Sequence, residues 1–94
     1  MATAPDNADK RSGKRLDVSI PSRLRHGGFD QADVTIRNLS FRGFRADCGE
    51  TLTAGEFVSI DLPQIGLVRA RIAWCDSGRI GGMFLRPMDV RRCV

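Results

Sequence analysis

An all-β fold, an antiparallel barrel or sandwich, is what this chain predicts, on three observations. About six short runs alternate apolar and polar residues, Gly- and Pro-containing turns separate them, and no amphipathic stretch is long enough for a major helix. The 94 residues are enough for one domain and too few for two.

Residues 1–14, MATAPDNADKRSGK, offer almost nothing to bury, so a disordered or weakly ordered tail is expected there. Alternation begins at Arg15, and Leu16 to Ile20 reads as a half-buried strand. Pro21 lacks an N–H and predicts a bend or an edge position, and His26-Gly27-Gly28 predicts a turn. Ala32 to Arg37 is a second alternating strand, with Val34 and Ile36 on one face. Asn38 to Gly43 breaks the alternation with turn residues, and Phe44 to Ala46 resumes it. Phe57 to Leu62 is a strand ended by Pro63. Leu67 to Trp74 is the longest candidate, and Asp76-Ser77-Gly78 turns it back into Arg79 to Leu85. Pro87 to Arg92 is expected to form at most one helical turn.

Composition narrows the function. Hydrophobic residues make up 41% and charged residues 28%, as in soluble globular proteins. No apolar stretch reaches the length of a membrane span, and the first twenty residues hold no signal-peptide core, so the expected compartment is the cytoplasm. Cys48, Cys75 and Cys93 are odd in number and widely spaced, which argues against a disulfide framework, and Cys48 and Cys75 read as small buried apolar residues in a reducing compartment. With one histidine and no C-x-x-C, no metal site is expected. No P-loop, nucleophile elbow or paired nucleophile and base is present, so no catalytic residue is assigned and an enzyme is not expected.

The net charge of +4 is uneven. Residues 1–45 hold nine Lys/Arg and five Asp/Glu, whereas residues 46–94 hold six of each. The densest part runs from Lys10 to Arg25, with Asp17 its only acid. A cationic end on a neutral body suits an anionic partner, and a solubilising tail fits the charge equally well.

Two clusters can carry recognition. Arg11 and Arg15 lie where the tail meets the first strand. A guanidinium offers a planar fork of donors for phosphate or the guanine edge, and a flat face for stacking. In Asn38-Leu39-Ser40-Phe41-Arg42-Gly43, the Asn38 amide suits a base edge. The Ser40 hydroxyl suits the loop backbone or a phosphate, and Gly43 permits positive φ and close ligand approach. Taken alone, the hexapeptide reads first as an Asx-type turn that joins two strands.

Together the clusters resemble a known signature. Arg11-x-x-x-Arg15 followed by Asn38-x-Ser40-x-x-Gly43 looks like the motif pair of PilZ domains, bacterial receptors for cyclic di-GMP. Ala70 to Trp74 answered by Ile80 to Phe84 resembles that family's closing hairpin. The likeness spans roughly residues 10–88, leaving 1–9 as a disordered tail and 89–94 as a short turn or tail. It implies a six-stranded antiparallel barrel with a flexible N-terminal arm and a short or absent C-terminal helix. It also implies cyclic di-GMP as ligand, no further cofactor, and a separate, unidentified effector protein as output. By this match Arg11 and Arg15 grip guanine edges and phosphates, Asn38 and Ser40 contact a guanine and its phosphate, and Gly43 shapes the turn. Lys10 adds a phosphate contact. Trp74 stacks on a base in some members, although core packing is the expected role here. Gly13 stands where bulkier residues are common, implying a looser arm and weaker affinity.

Two further readings stay open: a degenerate member that binds proteins without nucleotide, and a small barrel that binds RNA or single-stranded DNA. The intact motif positions argue against the first. The second normally needs aromatic platforms on strands. Here Phe57, Phe84 and Trp74 read as core, and Phe41 is the best exposed candidate.

Overall fold

The computed structural model describes residues 15–27 and 30–94. The strands are β1 (Leu16–His26), β2 (Asp30–Leu39), β3 (Gly43–Cys48), β4 (Phe57–Leu62), β5 (Gly66–Asp76) and β6 (Arg79–Phe84), followed by a 3-10 turn at Val90–Cys93. They close an antiparallel barrel in the order β1-β2-β3-β6-β5-β4. Among the described residues, no helix is long and apolar enough to cross a membrane. The expected disordered tail, and with it Lys10, Arg11 and Gly13, lies outside the described residues, as do Gly28 and Phe29.

The inner face follows the period-two pattern. Leu24, Ile36, Leu39, Ile60, Leu62, Ile72 and Ile80 are fully buried, each stabilising the barrel by about 1.5–3 kcal/mol. Phe44 and Phe84 stack at one end, ring centroids 5.7 Å apart. Among the described residues no polar or charged side chain is buried, so the core needs no internal polar partners.

The strand ends show where alternation misleads. β1 runs through Pro21 to His26 rather than bending at the proline. Pro21 lies opposite Thr35 of β2, and the β1–β4 ladder is confined to Leu24–Ile60 and Arg25–Ser59. At Pro21 the strand therefore has a ladder on one side only, where a missing N–H is tolerated. Asn38 and Leu39 belong to β2, so the turn is shorter than the expected hexapeptide. Phe57 is 52% exposed rather than core, because alternation places it with Ser59 and Asp61. The β5–β6 turn uses Ser77 and Gly78, both at positive φ (52° and 79°), as a two-residue type I′ hairpin turn requires.

Side chains tie the connections down. The His26 ring places Nε2 3.0 Å from Glu50 and Nδ1 3.7 Å from Glu56, pinning the β3–β4 connection to the end of β1. Cys48 is buried, and burial pushes its thiol pKa up. Cys75 is only half-buried, its sulfur accepting from the Leu52 N–H at 3.4 Å. At the C-terminus, Arg91 lies 2.9 Å from Asp89 and holds that carboxyl below its usual range, while Val90 is buried.

Candidate functional site

Three register shifts cluster toward one end of the barrel: Asp17/Ile20 of β1, Ile36/Asn38 of β2 and Ile72/Trp74 of β5. Their effect is on direction. In β2 the buried residues run Ala32, Val34, Ile36, and strict alternation would turn Asn38 inward. An extra residue, Arg37, sends Asn38 outward and returns Leu39 to the core. In β5 the extra residue Ala73 does the same for Trp74, which would otherwise follow Val68, Ala70 and Ile72 inside. Bulges commonly re-aim side chains at such places. Trp74 is 41% exposed, which corrects the expectation of core packing.

Outside the barrel, register then aligns Asp17, Asn38, Arg45, Gly81 and Trp74 in one row across β1, β2, β3, β6 and β5. The indole lies over Gly81, where an added Cβ would stand 2.2 Å from Nε1. A shallow concavity of about 260 Å³ opens beside it, lined among others by Arg15, Asn38, Ser40, Arg42, Gly43 and Arg45. The four described motif residues Arg15, Asn38, Ser40 and Gly43 thus meet at one place. Arg42, Arg45 and Met83 join them without having been singled out in the sequence. Alternation across Phe44-Arg45-Ala46 was the available signal for Arg45.

The hydrogen bonds assign each residue a present role. The Ser40 N–H donates to the Gly43 carbonyl at 2.8 Å, and its hydroxyl both donates to that carbonyl (3.2 Å) and accepts from the Gly43 N–H (3.1 Å). Ser40 therefore builds the turn. Gly43 is not at positive φ. It is glycine because an added Cβ would lie 2.3 Å from the Gly82 carbonyl oxygen, so β3 and β6 approach too closely for a side chain. The Asn38 amide donates to Asp17 at 3.0 Å, leaving its own oxygen for another donor. The turn also reaches the chain end: the Arg42 carbonyl accepts from Phe84 N–H (2.8 Å) and the Phe41 carbonyl from Met88 N–H (2.9 Å).

Electrostatics separates this place from its rivals. No ion pair among the described residues engages Arg15, Arg42 or Arg45, whereas Arg23 faces Asp33 and Arg37 faces Asp47. A larger concavity of about 690 Å³ lies along β1 and β2, but Asp33, Asp47 and Asp61 line it and would repel an anion. Among the described residues no group of His, Cys, Asp or Glu is placed to hold a metal ion.

Comparison with known proteins bears on the family and the fold. The family model for the PilZ domain matches residues 9–93. Among solved structures, the crystal structure of the PilZ domain of CeSA from a cellulose-synthesizing bacterium is similar in fold, with a TM-score of 0.64 at 17% identity, covering 83% of this chain and 85% of that one. No curated protein sequence matches the chain. With the family model matched over residues 9–93 and a six-stranded barrel formed by the described residues, the chain belongs to the PilZ domain family.

Proposed function

We propose that this domain is a receptor for cyclic di-GMP that acts by binding, without chemical turnover, and signals to a separate effector protein in the cytoplasm. One observation carries the reading: Arg15, Asn38, Ser40 and Gly43, distant in sequence, share one concavity whose arginines have no carboxylate partner among the described residues. A ligand with two phosphates and two guanines matches that chemistry. Arg15, Arg42 and Arg45 supply charge-assisted donors for phosphate and the guanine O6/N7 edge. Asn38 offers its free oxygen to a guanine N–H, and its amide once Asp17 releases it. Ser40 holds the turn so that its backbone faces the ligand. Trp74, exposed beside Gly81, gives a flat surface for a base.

Arg11 and Lys10 complete the site in this reading, by folding from the N-terminal arm over the ligand. The change this folding makes at the surface is what the effector reads.

Calorimetric titration with cyclic di-GMP, GTP and a short single-stranded RNA is the test. Saturable binding of the cyclic dinucleotide alone is expected. Arg15→Ala should cost about 2–5 kcal/mol of binding, enough to abolish it in practice, with the thermal melt unchanged. An Arg15→Ala protein that binds normally would remove the site assignment. Binding of RNA with a steep salt dependence would replace the reading altogether.

A further inference from the structure

The outer face of β4 and β5 carries side chains that dinucleotide binding leaves unused. Arg25 of β1, Ser59 of β4 and Arg69 of β5 lie in one register row, so two guanidinium groups flank a hydroxyl. A concavity of about 280 Å³ opens there, bordered by Phe57 and Leu67. Both are more than half exposed, and so is Leu85, whose N–H donates to the Arg69 carbonyl at 3.1 Å. No ion pair among the described residues engages Arg25 or Arg69. The carboxylates of Glu50 and Glu56 are turned to His26, and Asp61, opposite Leu67 in register, lines the neighbouring concavity along β1 and β2. Large apolar side chains exposed around uncompensated cations mark an interaction surface.

We propose that this face docks an acidic, aliphatic-bearing segment of a partner protein, with a carboxylate between Arg25 and Arg69 and apolar side chains on Phe57 and Leu67. The inference rests on reading the domain as a receptor that signals through a separate protein. Charge complementarity selects the occupant. Pairing with a second copy about a two-fold axis would set these arginines against their own equivalents. RNA would need free stacking faces. Leu67 and Leu85 offer none, and the Phe57 ring already carries the Arg71 guanidinium, 5.6 Å from its centroid. The face is also separable from the ligand site, because Arg25 and Arg15 stand at opposite ends of β1, about 30 Å apart along the strand.

The probe is a fluorescently labelled peptide of alternating Glu and Leu, about twelve residues long. Its controls replace Glu by Lys or Leu by Ser, and a single-stranded RNA and phosphatidylglycerol vesicles are titrated alongside. The Glu–Leu peptide should bind best by anisotropy. Arg69→Glu and Leu67→Ser should each weaken it about tenfold, whereas Arg79→Glu, at the start of β6 across the barrel, should not. Calorimetry should show cyclic di-GMP affinity unchanged in Arg69→Glu. Peptide binding that is absent or indifferent to Arg69→Glu overturns the proposal, as does tighter binding to RNA or vesicles. A wild-type protein that fails to bind cyclic di-GMP removes the receptor reading instead, a separate result from any in the peptide titration.

Discussion

Glycines 43 and 81 look alike in sequence and do different work. At Gly43 the obstacle to a side chain is the backbone oxygen of Gly82, which cannot move without opening the β3–β6 ladder. At Gly81 the obstacle is the indole of Trp74, an exposed side chain that can rotate away. Gly43→Ala should therefore destabilise the barrel by about 1–3 kcal/mol. Gly81→Ala should cost less in stability and should displace Trp74 from the rim. Denaturant unfolding of the two variants, with tryptophan emission recorded in each, checks both halves; equal losses would contradict this account. Sequence reasoning marked Gly43 as special on the grounds of φ and ligand access. The cause is close strand approach, which depends on a register that no short window reveals.

Strands and turns were legible where period two held and misread where one residue broke it. Val58, Ile60 and Leu62 face inward as their alternation says, and the same rule places Phe57 outside with Ser59 and Asp61. Reading Phe57 as core set that pattern aside. Asn38 and Trp74 differ, because their direction depends on the extra residues Arg37 and Ala73, and bulges carry no strong local sequence mark. The β5–β6 turn was legible from Asp76-Ser77-Gly78. Ser77 holds φ of 52°, a conformation for which serine is a poor choice and asparagine a good one. Ser77→Asn should stabilise the domain by about 0.5 kcal/mol, raising Tm by about 2–4 °C in a thermal melt. No gain would mean that the turn is not type I′ in solution.

At the scale of the whole barrel, the core and the proposed ligand site use opposite faces of the same strands and meet at the β2–β3 turn. That turn is held from outside as well: its Phe41 and Arg42 carbonyls accept from Met88 and Phe84, and buried Val90 anchors the segment beyond. The sequence predicted a short terminal turn at most, and nothing in it showed that this segment braces the β2–β3 turn, because the link is made by backbone groups. Val90→Ala should cost about 1–2 kcal/mol of stability. It should also weaken the proposed cyclic di-GMP binding severalfold without removing any of the three arginines. Unfolding curves and calorimetry on the same preparation separate the two effects, and undiminished affinity would show that the brace does not reach the site.

The outward turn of Trp74 has one more consequence. It is the chain's only tryptophan, and it stands at the mouth of the arginine-rimmed hollow. The protein thus carries its own optical gauge, a single native fluorophore whose surroundings dry out when that hollow fills and stay wet when it is empty. Occupancy can be followed through quenching by dissolved iodide, without a label and in the unaltered protein.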